Sequence, residues 1–220
     1  MLTIATASCL DLRIEILFTF FLSVHTNGFI AISTGCNMAK VIFGFVGKMS
    51  SGKGTSVAYL KEKYNAATFS YSTMLRDTLD RFYLPHTRDN MIDLSVFVRG
   101  RFGEDTMAKA VAHDIEKDAA DFVAVEGIRR LADIEYLKKL PGFILVEIVV
   151  DQKTRFERLK NRGQNPDDAS KTWEEFLADA EKPTEVSIRE VAAHASEKVD
   201  NNGSFEKLYR QLDKLVEKYQ

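Results

Sequence analysis

The sequence predicts an α/β fold in which helices cover both faces of a parallel sheet. Three apolar runs, at 41–46, 122–125 and 143–150, are continuous or nearly so rather than alternating, which is typical of strands buried on both faces. Between these runs, apolar residues recur at helical spacing. Because parallel strands need long crossover connections, this alternation favours βαβ units and a sheet of about five strands.

The elements of the first half follow from turns and apolar spacing. A glycine-rich turn separates the first strand from a helical pattern that begins at Lys53. Met107, Val111 and Ile115 lie four residues apart, as on the buried face of a helix. These patterns predict strands at 41–46 and 67–69, and helices at 53–64, 73–83, about 89–100 and 103–118.

The second half continues the alternation of strands and helices. Pro141 and Gly142 end a helical pattern, because neither residue suits a helix interior. Leu208, Leu212 and Leu215 form an apolar stripe on the last helix. The predicted elements are strands at 122–125, 143–150 and near 198–199, and helices at 130–139, 152–162 and 204–219.

The composition is that of a globular protein with a single domain. The 220 residues are 45% hydrophobic and 28% charged, and 30 basic against 32 acidic residues give a net charge of −2. A general nucleic-acid or membrane-surface binder normally has a basic excess, so we expect neither partner for residues 38–220. Cys9 and Cys36 form no metal-ligand pattern, which excludes a disulfide scaffold and a structural zinc site. We expect a cytoplasmic protein.

Residues 1–37 differ from the rest of the chain. Their apolar run at 16–24 is too short to span a bilayer as a helix, which needs about 20 residues. It is long enough for a signal-peptide core, but the segment before it is acidic rather than basic. Met38 stands just before the first strand. We therefore predict that 1–37 is a disordered extension or lies outside the native protein, with a targeting segment as the alternative, and that the domain spans 38–220.

A phosphate-binding loop joins the first strand to the first helix. Its glycines let the backbone approach phosphates closely, so that successive N–H groups and the helix N-terminus form an anion site. Lys53 would bind the β- and γ-phosphate oxygens, and Thr55 would contact Mg²⁺, one position later than is usual in such loops. The predicted ATP-binding residues of the loop are Gly47, Lys48, Met49, Ser50, Ser51, Gly52, Lys53, Gly54 and Thr55.

The Gly-Lys-Gly-Thr form of this loop is similar to that of adenylate kinases and related nucleoside monophosphate kinases. The Met-Leu-Arg sequence that ends at Arg76 resembles the segment whose arginine grips the acceptor monophosphate in that family. The usual Gly-Asp pair of this segment is replaced by Ser72 and Thr73. The resemblance implies that Arg76 binds the acceptor.

The end of the strand at 122–125 also matches this family. Glu126, Gly127 and the residues up to Arg130 look like its Asp-Gly-x-x-Arg element. By this resemblance Glu126 replaces the aspartate near magnesium and its waters. Arg129 and Arg130 are both candidates to bind the acceptor phosphate, and the spacing slightly favours Arg130.

Arg158 and Arg162 fit the Arg-x-x-x-Arg pattern that opens the lid of these kinases. Residues at i and i+4 share one face of a helix. By resemblance, Arg158 packs on the adenine and contacts phosphate, and Arg162 neutralises the transferring phosphoryl group, so that both are catalytic together with Lys53. Residues 163–171 then form a short polar lid.

A closer resemblance covers nearly all of residues 40–218. The segments at 102–105, 126–129, 154–159, 173–176 and 200–204 are similar to those of archaeal-type nucleotide kinases, a group related to adenylate kinase and also labelled dephospho-CoA-kinase-like. The resemblance implies a three-layer P-loop kinase fold with a helical acceptor-binding subdomain at about 70–118. It also implies ATP as the phosphoryl donor and Mg²⁺ as the cofactor.

We expect the acceptor to be a nucleoside monophosphate. A phosphate acceptor is already ionised, whereas a hydroxyl acceptor normally needs a nearby carboxylate as a base. Asp77 is poorly placed for that role, because it lies one position past Arg76. The alternatives are dephospho-CoA-kinase-like transfer to a ribose hydroxyl and a non-catalytic ATP-binding module. Arg99, Arg101 and Lys109 either widen the acceptor pocket or are solvated helix charges, and the oligomeric state stays open.

Overall fold

The structure, a computed structural model, describes residues 40–162, 169–181 and 183–220. Its centre is a sheet whose strands are β1 (Val41–Val46), β2 (Ala67–Ser70), β3 (Phe122–Glu126), β4 (Phe143–Val149) and β5 (Glu197–Asp200). Their order across the sheet is β2-β3-β1-β4-β5, and every neighbouring pair is parallel. The predicted α/β class and the five-stranded parallel sheet are confirmed.

Helices connect the strands and cover the sheet. They are α1 (Lys53–Tyr64), α2 (Tyr71–Arg81), α3 (Arg88–Phe102), α4 (Thr106–Lys117), α5 (Leu131–Ile134), α6 (Gln152–Arg162), α7 (Trp173–Ala180), α8 (Pro183–Ala192) and α9 (Phe205–Tyr219). Helices α2 to α4 occupy the range predicted for the acceptor subdomain.

The core has two hydrophobic clusters, one on each face of the sheet. All six residues of β1 are buried, and alternate side chains of this strand enter opposite clusters. On one face the predicted stripe of α4 is buried together with residues of α2 and α8. On the other face α1 and the predicted leucine stripe of α9 pack on the sheet. Burial on both sides explains why the β1 sequence is apolar without alternation.

One predicted helix, at 130–139, is wrong in its extent. The chain forms only the short α5 and then a separate 3₁₀ turn at Leu137–Lys139. Ile134, the last residue of α5, and Leu137, the first residue of the 3₁₀ turn, are both buried in the core. Pro141 and Gly142 then follow the 3₁₀ turn and lead into β4.

Two helices, α7 and α8, have no counterpart among the predicted elements. The start of α7 carries a capping box, in which Thr172 Oγ1 accepts from the backbone N–H of Glu175 and the Glu175 carboxylate accepts from the N–H of Thr172. This Thr-x-x-Glu pattern was a usable sequence signal. Helix α4 also begins at Thr106 rather than 103, because Gly103 has a φ of 113° and ends α3.

The predicted extension at 1–37 and most of the predicted lid, residues 163–168, lie outside the described residues. Within the part of the chain that the structure describes, no helix is both long and apolar enough to cross a bilayer.

Candidate active site

The phosphate loop lies between the end of β1 and the N-terminus of α1, as predicted. Gly52 precedes α1 with a φ of 98°, in the left-handed region that favours glycine. A Cβ at this position would lie 2.2 Å from Nδ2 of Asn201. That amide donates a hydrogen bond of 2.8 Å to the carbonyl of Ser51. Asn201, which follows β5, therefore holds the loop from outside, and only glycine fits beneath it.

Two hydroxyl groups of the loop have no hydrogen-bond partner. Ser50 Oγ and Ser51 Oγ are both buried and unpaired within the described part of the chain. Ser50 also has a φ of 59°, which is uncommon for a residue with a side chain. Buried hydroxyls without partners cost free energy, and a phosphate-bearing ligand supplies the missing acceptors.

Lys53, the first residue of α1, folds back over the loop. Its Nζ donates to the carbonyls of Gly47 at 2.6 Å and Lys48 at 3.0 Å. The ammonium group is thus held at the rim of the loop, where the N-terminal end of α1 already favours negative charge. The predicted ATP-binding residues 47–55 form the phosphate loop and the first turn of α1.

Glu126 brings a carboxylate to the same helix end. It is the last residue of β3, the strand beside β1, and its Oε2 lies 3.7 Å from where a Cβ of Gly54 would stand. The absence of a side chain at Gly54 leaves this approach open. Glu126 and Thr55 are both half-buried, which fits a Mg²⁺ that keeps most of its water and phosphate ligands. The described residues contain no group of three or more clustered metal-ligand side chains.

The two predicted acceptor segments lie against each other. Gly127 follows β3 with a φ of 81°, and a Cβ there would stand 3.4 Å from the backbone nitrogen of Tyr71, at the start of α2. Arg76 is exposed on α2, and its Nη1 donates to Ser72 Oγ at 3.2 Å. The carboxyl ends of β2 and β3 thus bring these segments together at one edge of the sheet.

A buried carboxylate, Asp133, organises this edge. Its Oδ2 accepts from the backbone N–H groups of Arg129 and Arg130, at 2.9 and 3.0 Å. Its Oδ1 accepts from Arg99 Nη2 at 2.6 Å, and both side chains of this ion pair are almost fully buried. The hydroxyl of Tyr71 donates to the carbonyl of Asp133, and burial raises the pKa of this phenol. Arg99 is therefore a buried, paired group and not a solvated charge.

Arg129 and Arg130 differ in what their side chains contact. Arg130 Nη1 forms an ion pair of 2.9 Å with Glu104, while the Arg129 side chain is exposed. Arg99 Nη1 also donates to the carbonyl of Glu104, at 2.5 Å. The Arg130 guanidinium is thus engaged in linking this loop to the end of α3, which was not visible in the sequence spacing.

The predicted lid arginines lie at the C-terminal end of α6. Arg158 is half-buried there. Arg162 ends the helix, and its side chain falls outside the described residues. Arg155, one turn before Arg158, is 3% exposed, and its Nη1 is 3.4 Å from the carbonyl of Met49 in the phosphate loop.

The sequence analysis gave no role to Asp133, Asn201 and Arg155, although each contacts a predicted site segment. Asp133 pairs with a residue 34 positions away, and Asn201 with one 150 positions away. Side-chain spacing along a helix carries no information on such partners. The usable signal was that Asn201 and Arg155 both stand in segments that matched the kinase resemblance.

Comparison with known proteins shows the family to which this chain belongs. The family model described as an AAA domain matches residues 46–176, from the phosphate loop into α7. A UPF0200 protein of Methanocaldococcus jannaschii is 32% identical over 179 residues, which are 80% of this chain and 89% of that protein. The chain belongs to the UPF0200 family. A UPF0200 protein of Pyrococcus abyssi is 29% identical over 183 residues, which are 81% of this chain and 96% of its own.

Solved structures similar to this UPF0200 protein include shikimate kinases. That of Bacteroides thetaiotaomicron has a TM-score of 0.57 and 17% identity, over 80% of this chain and 98% of its own. That of Acinetobacter baumannii, in complex with shikimate, has a TM-score of 0.50 and 19% identity, over 83% and 96%. The likeness shows a P-loop kinase-like fold. The predicted kinship with adenylate kinases in particular stays a prediction.

Proposed function

We propose that this UPF0200 protein is a cytoplasmic phosphotransferase that moves the γ-phosphoryl group of Mg-ATP to a nucleoside monophosphate. One observation carries the proposal: the hydroxyls of Ser50 and Ser51 are buried without partners among the described residues, in a loop rimmed by the Lys53 ammonium group. A closed structural turn would satisfy these groups internally, whereas a phosphate site leaves them for its ligand.

The surroundings of the loop support transfer rather than storage of ATP. Glu126 and Thr55 would hold Mg²⁺, which when bound would neutralise part of the charge on the donor phosphates. Lys53 would exchange its contacts with the loop carbonyls for phosphate oxygens. Arg158 and Arg162 would add positive charge from α6. Such charge matters because phosphoryl transfer is catalysed mainly by positioning and charge neutralisation.

A phosphate acceptor fits the second segment better than a hydroxyl acceptor does. Asp133, the buried carboxylate of this edge, has both oxygens occupied by N–H groups and by Arg99, so it is not available as a base. Asp77 is exposed on α2. Arg76 and Arg129, by contrast, present exposed guanidinium groups on the two segments that meet at Gly127, and paired guanidinium groups suit a phosphate.

ADP release by the full chain tests this proposal. The assay supplies Mg-ATP with AMP, CMP, UMP, GMP or their deoxy forms, and in separate reactions dephospho-CoA or shikimate. We expect one monophosphate to accelerate ADP release. Acceleration only by dephospho-CoA or shikimate would show that the acceptor group is a hydroxyl and not a phosphate. ATP binding without acceleration by any acceptor would favour the non-catalytic binding module.

A further inference from the structure

A cavity of about 380 Å³ lies beside the phosphate loop, on the face of the sheet that α8 covers. Its wall includes Gly47 and Lys48, which are also predicted ATP-binding residues, but none of residues 49–55, so the cavity adjoins the ATP cradle and lies outside most of it. The end of β4, the helix α8 and Lys198 of β5 complete the wall. A volume of this size fits a small organic molecule.

Arg155 lines this cavity and is incompletely satisfied. Its side chain is 3% exposed and lies over the ring of Phe176, 5.3 Å from the centroid. Nη1 makes a long contact to the Met49 carbonyl, but Nε is buried with no hydrogen-bond partner in the described ranges. Burial also lowers the pKa of this guanidinium. An N–H of a buried cation without an acceptor is costly, so a ligand oxygen here would be stabilised.

Glu185 does not remove this need. Its charge favours the Arg155 cation, yet Glu185 is itself 7% exposed, and its Oε2 is buried without a partner in the part of the chain described. The two groups therefore balance each other in charge while leaving a donor and an acceptor unsatisfied. Arg155 Nε needs an acceptor, which a ligand oxygen or a water would supply, whereas Glu185, which does not line the cavity, needs a donor.

The remaining charges of the wall favour an anion. Lys48, Arg155, Arg189 and Lys198 line the cavity, against one carboxylate, Glu147. Lys198 forms an ion pair of 2.9 Å with Glu147, and Arg189 one of 3.5 Å with Glu181 outside the wall. With Arg155 balanced by Glu185 behind the wall, the excess of positive charge in the lining lies at Lys48, next to the phosphate loop.

We propose that this cavity is a second ligand site, which binds a small organic oxyanion, a carboxylate or a phosphate monoester, through Arg155. The planar guanidinium would donate from Nε and an adjacent Nη in the fork geometry that oxyanions accept. The apolar part of the wall, formed by Ile148, Val150, Ile188 and Ala192, would contact the organic part of the ligand. This proposal does not depend on the proposed phosphoryl transfer, and a test of one does not decide the other.

The Nε–H signal of Arg155 in proton–nitrogen correlation spectra tests the site directly. The full chain is first saturated with Mg²⁺ and adenylyl imidodiphosphate, whose binding is followed on the signals of the phosphate loop. Acetate and inorganic phosphate are then titrated in separate arms. We expect a shift of the Arg155 signal that saturates by about 10 mM in at least one arm, and the responding arm identifies the class of anion. Absence of a saturable shift in both arms overturns the proposal.

Three variants serve as controls. Arg155→Lys identifies the signal by its loss. Ala193→Trp changes an exposed residue of the wall, so the fold should persist while the bulky ring narrows the cavity. We expect it to weaken anion binding at least about tenfold, whereas Arg210→Lys, on α9 and outside the cavity, should leave binding unchanged. Equal binding in Ala193→Trp and the parent chain would show that the anion binds elsewhere and would overturn the proposal.

Discussion

Arg129 and Arg130 are adjacent in the sequence, but their side chains make different contacts. The backbone N–H groups of both bind Asp133, so the two residues share one rigid loop. The Arg130 guanidinium pairs with Glu104, and the Arg129 guanidinium is exposed beside the segment that carries Arg76. We therefore propose that Arg129 binds the acceptor, against the slight preference of the sequence spacing for Arg130.

Alanine substitution separates the two arginines. Arg129→Ala should raise the KM for the acceptor roughly 10- to 100-fold, because it removes charge-assisted hydrogen bonds to phosphate. Arg130→Ala should change it less than about threefold, since an exposed ion pair contributes little. Initial rates at varied acceptor and saturating Mg-ATP measure both effects. The reverse order would return the acceptor role to Arg130.

Asp133 is the residue on which the geometry of this loop depends. Asp133→Asn should lower the free energy of unfolding by about 3–5 kcal/mol, because it leaves the buried Arg99 cation without its counter-charge. Glu104→Gln is the matched control: its carboxylate is 62% exposed, so its loss should cost less than about 1 kcal/mol. Urea unfolding of both variants measures the difference. Similar small losses in the two variants would contradict the buried-pair account.

At the scale of elements, α9 anchors the helix that carries Lys53. Asp213 of α9 accepts hydrogen bonds from Tyr59 and Tyr64 of α1, both at 2.7 Å, and from Lys63 at 2.8 Å. Burial alone would raise the pKa of Asp213, but the hydrogen bonds from Lys63 and the two tyrosines outweigh it and hold the pKa below its ordinary value. Burial of Tyr64, together with its hydrogen bond to Asp213, raises the pKa of this tyrosine to about 12.

This contact makes stability depend on pH in a defined direction. A carboxyl whose pKa is lower in the folded state stabilises the fold above its unfolded pKa of about 3.9, and the gain is lost as pH falls through the folded pKa. Asp213→Asn should therefore lower the free energy of unfolding by about 1 kcal/mol at about pH 7, and by much less near about pH 2.5. Denaturant unfolding at both pH values measures this, with Asp121→Asn, an exposed position, as control. A difference that persists at low pH would contradict the ionic account.

Helices and strands with strong apolar patterns were predictable from the sequence. Those whose bounds depend on particular contacts in the fold were not. The strands and the helices α1, α4, α6 and α9 follow from apolar runs and stripes, because burial on the sheet determines both. The break between α5 and the 3₁₀ turn depends on how Ile134 and Leu137 fit the core, which no local pattern records. Helix α7 was recognisable only from its capping box at Thr172 and Glu175.

At the scale of the whole molecule, the phosphate loop was predictable and its supports were not. Glycines at fixed spacing between a strand and a helix specify the loop locally, so residues 47–55 could be read from the sequence. Asn201, Asp133 and Arg155 act across distances of many residues, since the parallel topology brings the carboxyl ends of the strands to one edge of the sheet. Such contacts follow from the assembled fold rather than from spacing.

Transfer of a labelled γ-phosphoryl group tests the central claim most directly. The full chain is incubated with Mg²⁺, ATP radiolabelled at the γ-phosphoryl group and each monophosphate in turn, and the products are separated by chromatography. The account predicts label in the diphosphate of one acceptor, and a rate at least about 100-fold lower in Lys53→Ala, whose circular dichroism spectrum should show an intact fold. Label found only in inorganic phosphate, or an equal transfer rate in Lys53→Ala, would contradict it.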